Sequence, residues 1–395
     1  MLRQLLKKPG VGRVTRAILI CAFVLLGSLL AVPLAPSNSY SATGSPALGP
    51  LANAPFDHIV TIMMENQGLC DVYTGCGGSA QYMSSLANAN TLAMTWGTID
   101  HYSEPNYIAL LGAYDEKAST GDGWCCYLSP NINLIDRLEP AGLTWQAFAE
   151  DAGNSGSCSF SPPRNGDHFP FIDFSDTNTA ARCSHFLTTA SSSDPEFLAA
   201  LNTASPANFI WLTPNDCNNG HDKCSSSSGI AGGDSYLLGL VPQILSSSEF
   251  ASTKAALLIL YDEGYNTQCS SNTGGTGECL YASFSGPAAK KGVQISPAGA
   301  SHYSYLSTIE AAWGLSSLNS NDAGAPTMLG AFAACTSNCP LTTKAPPGAF
   351  LGISNNIWLI IIAGLIGLVP SLTLLTIRVR AKLKRTKQTM NRKAR

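Results

Sequence analysis

Three short segments of the chain are apolar at nearly every position: "HIVTIMM" (58–64), "NFIWLT" (208–213) and "AALLILY" (255–261). Unbroken aliphatic and β-branched runs of this length predict strands covered on both faces, because a strand with one wet face would alternate. Between them, "NLIDRLEPAGLTWQAFAED" and "SYLLGLVPQILSSSEF" carry helical patterns. Strands alternating with helices predict an α/β fold with a mostly parallel sheet. Polar residues follow each strand at once: Glu65-Asn66 after the first, "PNDCNNGHD" after the second, and Asp262-Glu263-Gly264 after the third. Open α/β sheets bind ligands outside the carboxyl ends of their strands. The three loops are therefore expected to bring their side chains to one edge.

The pattern changes character at both ends of the chain. Residues 1–16 hold five basic residues and lead into an apolar stretch, the layout of a secretory signal cleaved near Ser41-Ala42, with an uncleaved anchor as the alternative. Residues 356–377 carry no charge and are long enough to span a bilayer core of roughly 30 Å. The eighteen residues after them hold nine bases and no acid, which places this tail in the cytoplasm. The predicted organisation is a leader or anchor (1–42), a flexible lead-in (43–54), one catalytic domain (55–340), a stalk (341–355), a transmembrane helix (356–377) and a basic tail (378–395). The expected location is the cell membrane, with a single span and the catalytic domain outside.

Charge sharpens that picture. Of 23 Lys and Arg, five precede residue 17 and nine follow residue 377; the nine between face all 26 acids, a formal charge of −17. Such a surface repels nucleic acid, and none is expected as a partner. Scarce bases suggest an acidic habitat. Thirteen cysteines, one of them Cys21 in the leader, leave an even twelve for an oxidising exterior, so six disulfides are expected. Local pairs at 70/76, 217/224, 269/279 and 335/339 are close enough to bridge. Zinc is the competing reading of Cys125-Cys126 and Cys217/Cys224, but no CxxC pair supports it.

Glu65, Asn66, Asp262 and Glu263 offer hard oxygen donors suited to a divalent cation, and His221 adds a nitrogen. The stretch "HYSEPNYIALLGAY" (101–114) sets Ser103 before Pro105 at the mouth of an apolar run. A helix N-terminus there offers free N–H groups to a phosphate, and a cation would activate the hydroxyl as a nucleophile. Asn106 is placed to donate to a phosphoryl oxygen. A plain N-cap role for Ser103 stays open. Of the other histidines, His101 is close enough to Ser103 to reach a phosphate or leaving group, and His168 is a candidate general acid lining the cleft. His58 and His185 are read as structural.

Five segments in order, "FDHIVTIMMENQ", "SEPNYIALLGA", "FIWLTPNDCNNGHD", "LLILYDEG" and "HYSYLSTIEAAWGL", resemble the motif series of the phosphoesterase family, which holds bacterial phospholipases C and acid phosphatases of the alkaline-phosphatase-like superfamily. The resemblance spans residues 55–320. It implies an α/β/α sandwich and phosphoester hydrolysis by way of a phosphoserine. It also implies Glu65, Asn66, Ser103, Asp262 and Glu263 as metal ligands, Ser103 as nucleophile, and Asn106, His221 and His302 as further site residues. "QGLCDVYTGCGG" and "QYMSSLA" look more like the acid-phosphatase branch than the phospholipase branch, whose usual Arg-Ser-Phe-Asp stretch is missing. The turn after the nucleophile reads Leu-Gly-Ala, without the usual Ser/Thr-Gly ending. The expected activity is a metal-dependent acid phosphatase on a small phosphoester. A phospholipase C or phosphodiesterase acting on phospholipid is the first alternative, and an inactive surface binding protein the second.

Overall fold

The computed structural model describes residues 53–114, 132–224, 229–264 and 278–333. The expected leader, stalk, membrane span and tail lie outside these residues. Among the described residues no helix is long and apolar enough to cross a membrane.

The three apolar runs form β1 (His58–Met64), β5 (Phe209–Thr213) and β6 (Ala255–Tyr261). They are neighbours at the centre of a single eight-stranded sheet of order β4-β3-β5-β1-β6-β7-β2-β8. The others are β2 (Thr91–Ala93), β3 (Trp145–Glu150), β4 (Phe186–Thr189), β7 (Ala282–Ser285) and β8 (Val293–Ile295). β4, β3, β5, β1 and β6 pair in parallel. β7 pairs antiparallel with both β6 and β2, and β8 runs parallel to β2, so β7 alone of the eight points the other way. The sheet is mixed but mostly parallel.

The four longer described helices are α1 (Gln81–Ala89), α2 (Ser103–Gly112), α3 (Gly229–Leu245) and α4 (His302–Trp313). α1 packs against α3, and α2 against α4. Thr61 and Met64 are an odd number of residues apart on β1 and point to opposite faces. Thr61 Oγ1 bonds Tyr305 Oη of α4 at 2.8 Å. On the other face Met64 Cε lies where a Cβ at Gly233 of α3 would meet it at 2.9 Å. Helices thus cover both faces, which is why the central strands are apolar on nearly every residue.

The helical pattern expected over 133–151 is only partly realised. A short helix, Ile135–Leu138, gives way to a 3-10 turn, Glu139–Ala141, and the remainder is β3. Pro140 limits the helix, and Gly142 closes the turn at φ 73°, a left-handed backbone that a glycine adopts without steric cost. The run "WQAFAE" then completes the sheet beside β5, where Trp145 stacks on Phe171 at 5.8 Å. The helix expected over 235–250 is present, although α3 begins earlier and stops at Leu245, and a separate five-residue helix, Ser248–Ser252, follows it.

Disulfides join Cys70–Cys76 and Cys217–Cys224, as expected from their spacing, and also Cys158–Cys183, which no local spacing indicated. Cys279 is disulfide-bonded as well. The positions 125, 126, 269, 335 and 339 lie outside the described residues.

Candidate active site

Met64 and Tyr261 are register partners at the ends of β1 and β6. The residues that follow, Glu65 and Asp262, therefore leave the sheet side by side. Asp262 N donates to Met64 O at 3.2 Å, and Asn66 N donates to Asp262 Oδ1 at 2.9 Å. Asn66 adopts φ 61°, a left-handed conformation that costs free energy for a residue with a Cβ and recurs at functional sites. Its Nδ2 donates to Glu65 Oε1 at 3.0 Å. Gly264 is required by close approach, since a Cβ there would lie 2.6 Å from Gly68 N.

Helix α2 brings Ser103 to this edge. Tyr102 occupies the N-cap position, so Ser103 is the first helical residue and Pro105 falls in the first turn, where no intrahelical N–H is needed. The serine does not cap. Its Oγ lies 2.6 Å from Glu65 Oε1 and 3.1 Å from Glu263 Oε1. A hydroxyl has one hydrogen and can donate to one of these at a time.

Glu65, Asp262 and Glu263 are all buried, and one oxygen from each lies within 4.8 Å of the others. Burial pushes the Glu65 carboxyl up to about 7, against the smaller lowering effects of Ser103 and other neighbours. Burial, then the charge of Glu65, raises Asp262 well above the usual carboxylate range. Three clustered acids in a dry site are unfavourable as anions unless a cation neutralises them. Two buried oxygens there, Asn66 Oδ1 and Asp262 Oδ2, have no hydrogen-bond partner. The donor set is all oxygen and partly unsatisfied, which fits a hard divalent cation.

The remaining expected residues fall into two groups. His302 is the first residue of α4 and fully buried. Its Nδ1 accepts from Trp96 Nε1 at 3.2 Å, so Nε2 carries the hydrogen and donates to the Asp262 carbonyl at 2.5 Å. Burial lowers it to about 4, and it is neutral; it acts on Asp262 through the backbone. Asn106 is likewise turned to the chain itself: Oδ1 accepts from Thr98 Oγ1, Ile99 N and Asp100 N, and Nδ2 donates to the carbonyls of Asp100 and Tyr102. Both donors of its amide are occupied in shaping the loop that precedes α2. His221 stands at the rim with a side chain 33% exposed, its Nδ1 2.7 Å from Asp222 Oδ1, and its field reaches Glu65.

The two histidines expected near the cleft, His168 and His101, both come close to the carboxylates. His168 is buried, stacks on Tyr107 and sets Nε2 2.8 Å from Glu65 Oε1, without hydrogen-bond alignment. His101 is exposed and lies 3.7 Å from Glu263 Oε2 and 3.6 Å from Glu278 Oε1. Their sequence signal is proximity alone: His101 is two residues before Ser103, and His168 precedes an aromatic cluster. Arg164 and Glu278 carry no such signal. His58 Nδ1 donates to the Ala207 carbonyl and His185 packs on Trp145, both away from this edge.

Comparison with known proteins agrees with this chemistry. The model of the phosphoesterase family matches residues 75–316, beginning just after Glu65 and Asn66. The chain belongs to that family. Among its relatives are a phosphatidylinositol-3-phosphatase of Mycobacterium tuberculosis, 28% identical over 318 residues (79% of this chain and 92% of that protein), and an acid phosphatase of Aspergillus niger, 25% identical over 305 residues (74% and 67%). A solved structure from Vibrio parahaemolyticus, described as a protein in the alkaline phosphatase superfamily, aligns with a TM-score of 0.44 at 13% identity over 67% of this chain and 70% of that one. The chain is a phosphoric ester hydrolase of acid-phosphatase type.

Proposed function

We propose that this hydrolase removes phosphoryl groups from monoesters, with Ser103 as the attacking group and a divalent cation held by Glu65, Asn66, Asp262 and Glu263. The observation that carries the reading is the approach of Ser103 Oγ to Glu65 Oε1 and Glu263 Oε1 at the first residue of a buried helix. Glu65 is placed to take the hydroxyl proton at Oε1 as Ser103 attacks. The N-terminal N–H groups of α2 are oriented to receive charge that develops on the phosphoryl oxygens. Asn66 and His302 hold Asp262 in place, and His221 stands at the rim where a leaving group would depart. A bound cation would lower the pKa of the hydroxyl and screen the phosphoryl charge.

Both relatives carry phosphatase names, which favours a monoester over the phospholipase C alternative. The membrane-anchored, exterior location rests on the charge-free segment 356–377 and the basic residues after it. The deciding experiment assays the full-length protein on p-nitrophenyl phosphate and p-nitrophenylphosphorylcholine, with and without chelator. Monoester turnover that disappears on chelation is expected. Turnover confined to the phosphorylcholine ester, or unchanged by chelator, would reject the reading.

A further inference from the structure

We infer that Arg164 is the substrate-binding cation of this site, gripping the phosphoryl oxygens from the segment that also delivers His168. The inference rests on the phosphoester reading of the site. The chain is poor in bases, with nine Lys and Arg among residues 17–377. Arg164 and His168 are delivered by one short segment that ends in a 3-10 turn, Asn165–His168. Thr213, the last residue of β5, fixes that turn by donating Oγ1 to the His168 carbonyl at 2.7 Å. His168 Nε2 is then 2.8 Å from Glu65 Oε1.

Asp216 sets the position of the arginine. Its Oδ1 lies 3.5 Å from Arg164 Nη1, 3.8 Å from His168 Nδ1 and 3.2 Å from Asn219 Nδ2. One carboxylate oxygen thus ties the arginine, the buried histidine and the loop that carries His221. Arg164 keeps 28% of its side chain exposed, so the guanidinium meets both this oxygen and solvent. Its charge is felt at Glu65, which meets Ser103 Oγ, and at Tyr107 and His168, which meet Glu65. A guanidinium has five donors in a planar fork, and one corner on Asp216 leaves others for a phosphoryl group. A site with this many carboxylates needs such a cation to admit a dianion as well as the metal.

The test uses the full-length, divalent-cation-loaded protein with Arg164→Gln and Arg164→Met, each checked for wild-type metal content and far-UV circular dichroism. Either neutral variant that folds is sufficient. Binding of inorganic phosphate is measured by calorimetry and by its competitive inhibition. We expect phosphate affinity to fall about 10- to 100-fold. The loss of kcat/KM should be larger for p-nitrophenyl phosphate than for bis(p-nitrophenyl) phosphate, whose single charge asks less of the arginine. Phosphate affinity within twofold of wild type in a folded variant, or equal losses on the two esters, would overturn the inference. A wild-type protein that binds phosphate through Arg164 yet hydrolyses neither ester would overturn the proposed function alone.

Discussion

Ser103 and Tyr107 lie one helical turn apart on α2, and their two hydroxyls meet the two oxygens of one carboxylate. Ser103 Oγ is 2.6 Å from Glu65 Oε1, and Tyr107 Oη is 3.3 Å from Glu65 Oε2. The i, i+4 spacing puts both on the face that looks at the end of β1. Burial and the charge of Glu65 raise the Tyr107 phenol far above its ordinary value, so it stays protonated and donates. Tyr107→Phe should lower kcat about tenfold with little change in KM, the effect of one charge-assisted hydrogen bond. Steady-state kinetics beside a thermal melt will show whether the loss is catalytic or merely structural.

On the proposed mechanism Ser103→Ala removes the attacking oxygen, and in the core it deletes only one hydroxyl at the first residue of α2. Turnover should fall by on the order of a thousandfold or more, with the melting temperature close to wild type. A variant that keeps a tenth of the activity would show that another group attacks.

Removing the cation should destabilise the protein in a pH-dependent way. Glu65 titrates near 7 in the folded, metal-free protein against an ordinary 4.5, and Asp262 is raised too. A raised folded pKa means the contribution of this carboxyl to the metal-free fold is complete below about 4.5 and is lost as the pH climbs through about 7. The drop in melting temperature on adding chelator should therefore be larger at pH 8 than at pH 5. Asp262→Asn and Glu263→Gln should each reduce metal content, measured by atomic emission, since each removes a charge that attracts the cation. An equal chelator effect at both pH values, or full metal content in both variants, would assign these acids to strand capping.

A second pH effect lies far from the site. Glu249 is buried with neither carboxylate oxygen hydrogen-bonded, and burial pushes it up to about 8. His58 Nδ1, 3.6 Å away, is the basic group facing it. In the wild type its contribution is complete below about 4.5 and is lost as the pH rises through about 8. Glu249→Gln should flatten the fall in stability between those limits, by on the order of 2 kcal/mol once solvent relaxation is allowed for. Denaturant titrations at pH 5 and pH 8.5 measure it. Identical pH slopes in the two proteins would contradict the assignment.

The legible part of the sequence was the part with the strongest physical signal. β1, β5 and β6 are buried on both faces, so their apolar runs stand out, and the acids that follow them converge because adjacent parallel strands end together. β2, β4, β7 and β8 have three or four residues each, too few for a period to show. β3 was masked because "TWQAFAED" also fits a helical period, and only Pro140 and Gly142 before it mark the break. Ser103 was legible through its helix, but the N-cap alternative could be settled only by the distance to Glu65. Arg164 and His168 are held by Thr213 and Asp216, some fifty residues further along the chain, and no local pattern encodes such a contact. Asn106 and His302 lie where motif order puts them, yet their hydrogen bonds go to the backbone and to Thr98 and Trp96, a role that residue type alone does not reveal.

All ten residues of α2 are buried. A library that varies this helix to obtain new substrate preferences will return mostly unfolded protein, because every position there is also core. The segments around Arg164 and His221 include exposed residues on either side, such as Ser161, Pro163, Asp222 and Lys223. Preference can be retrained in those loops while Ser103 stays where it is, and relatives with different substrates should differ there first.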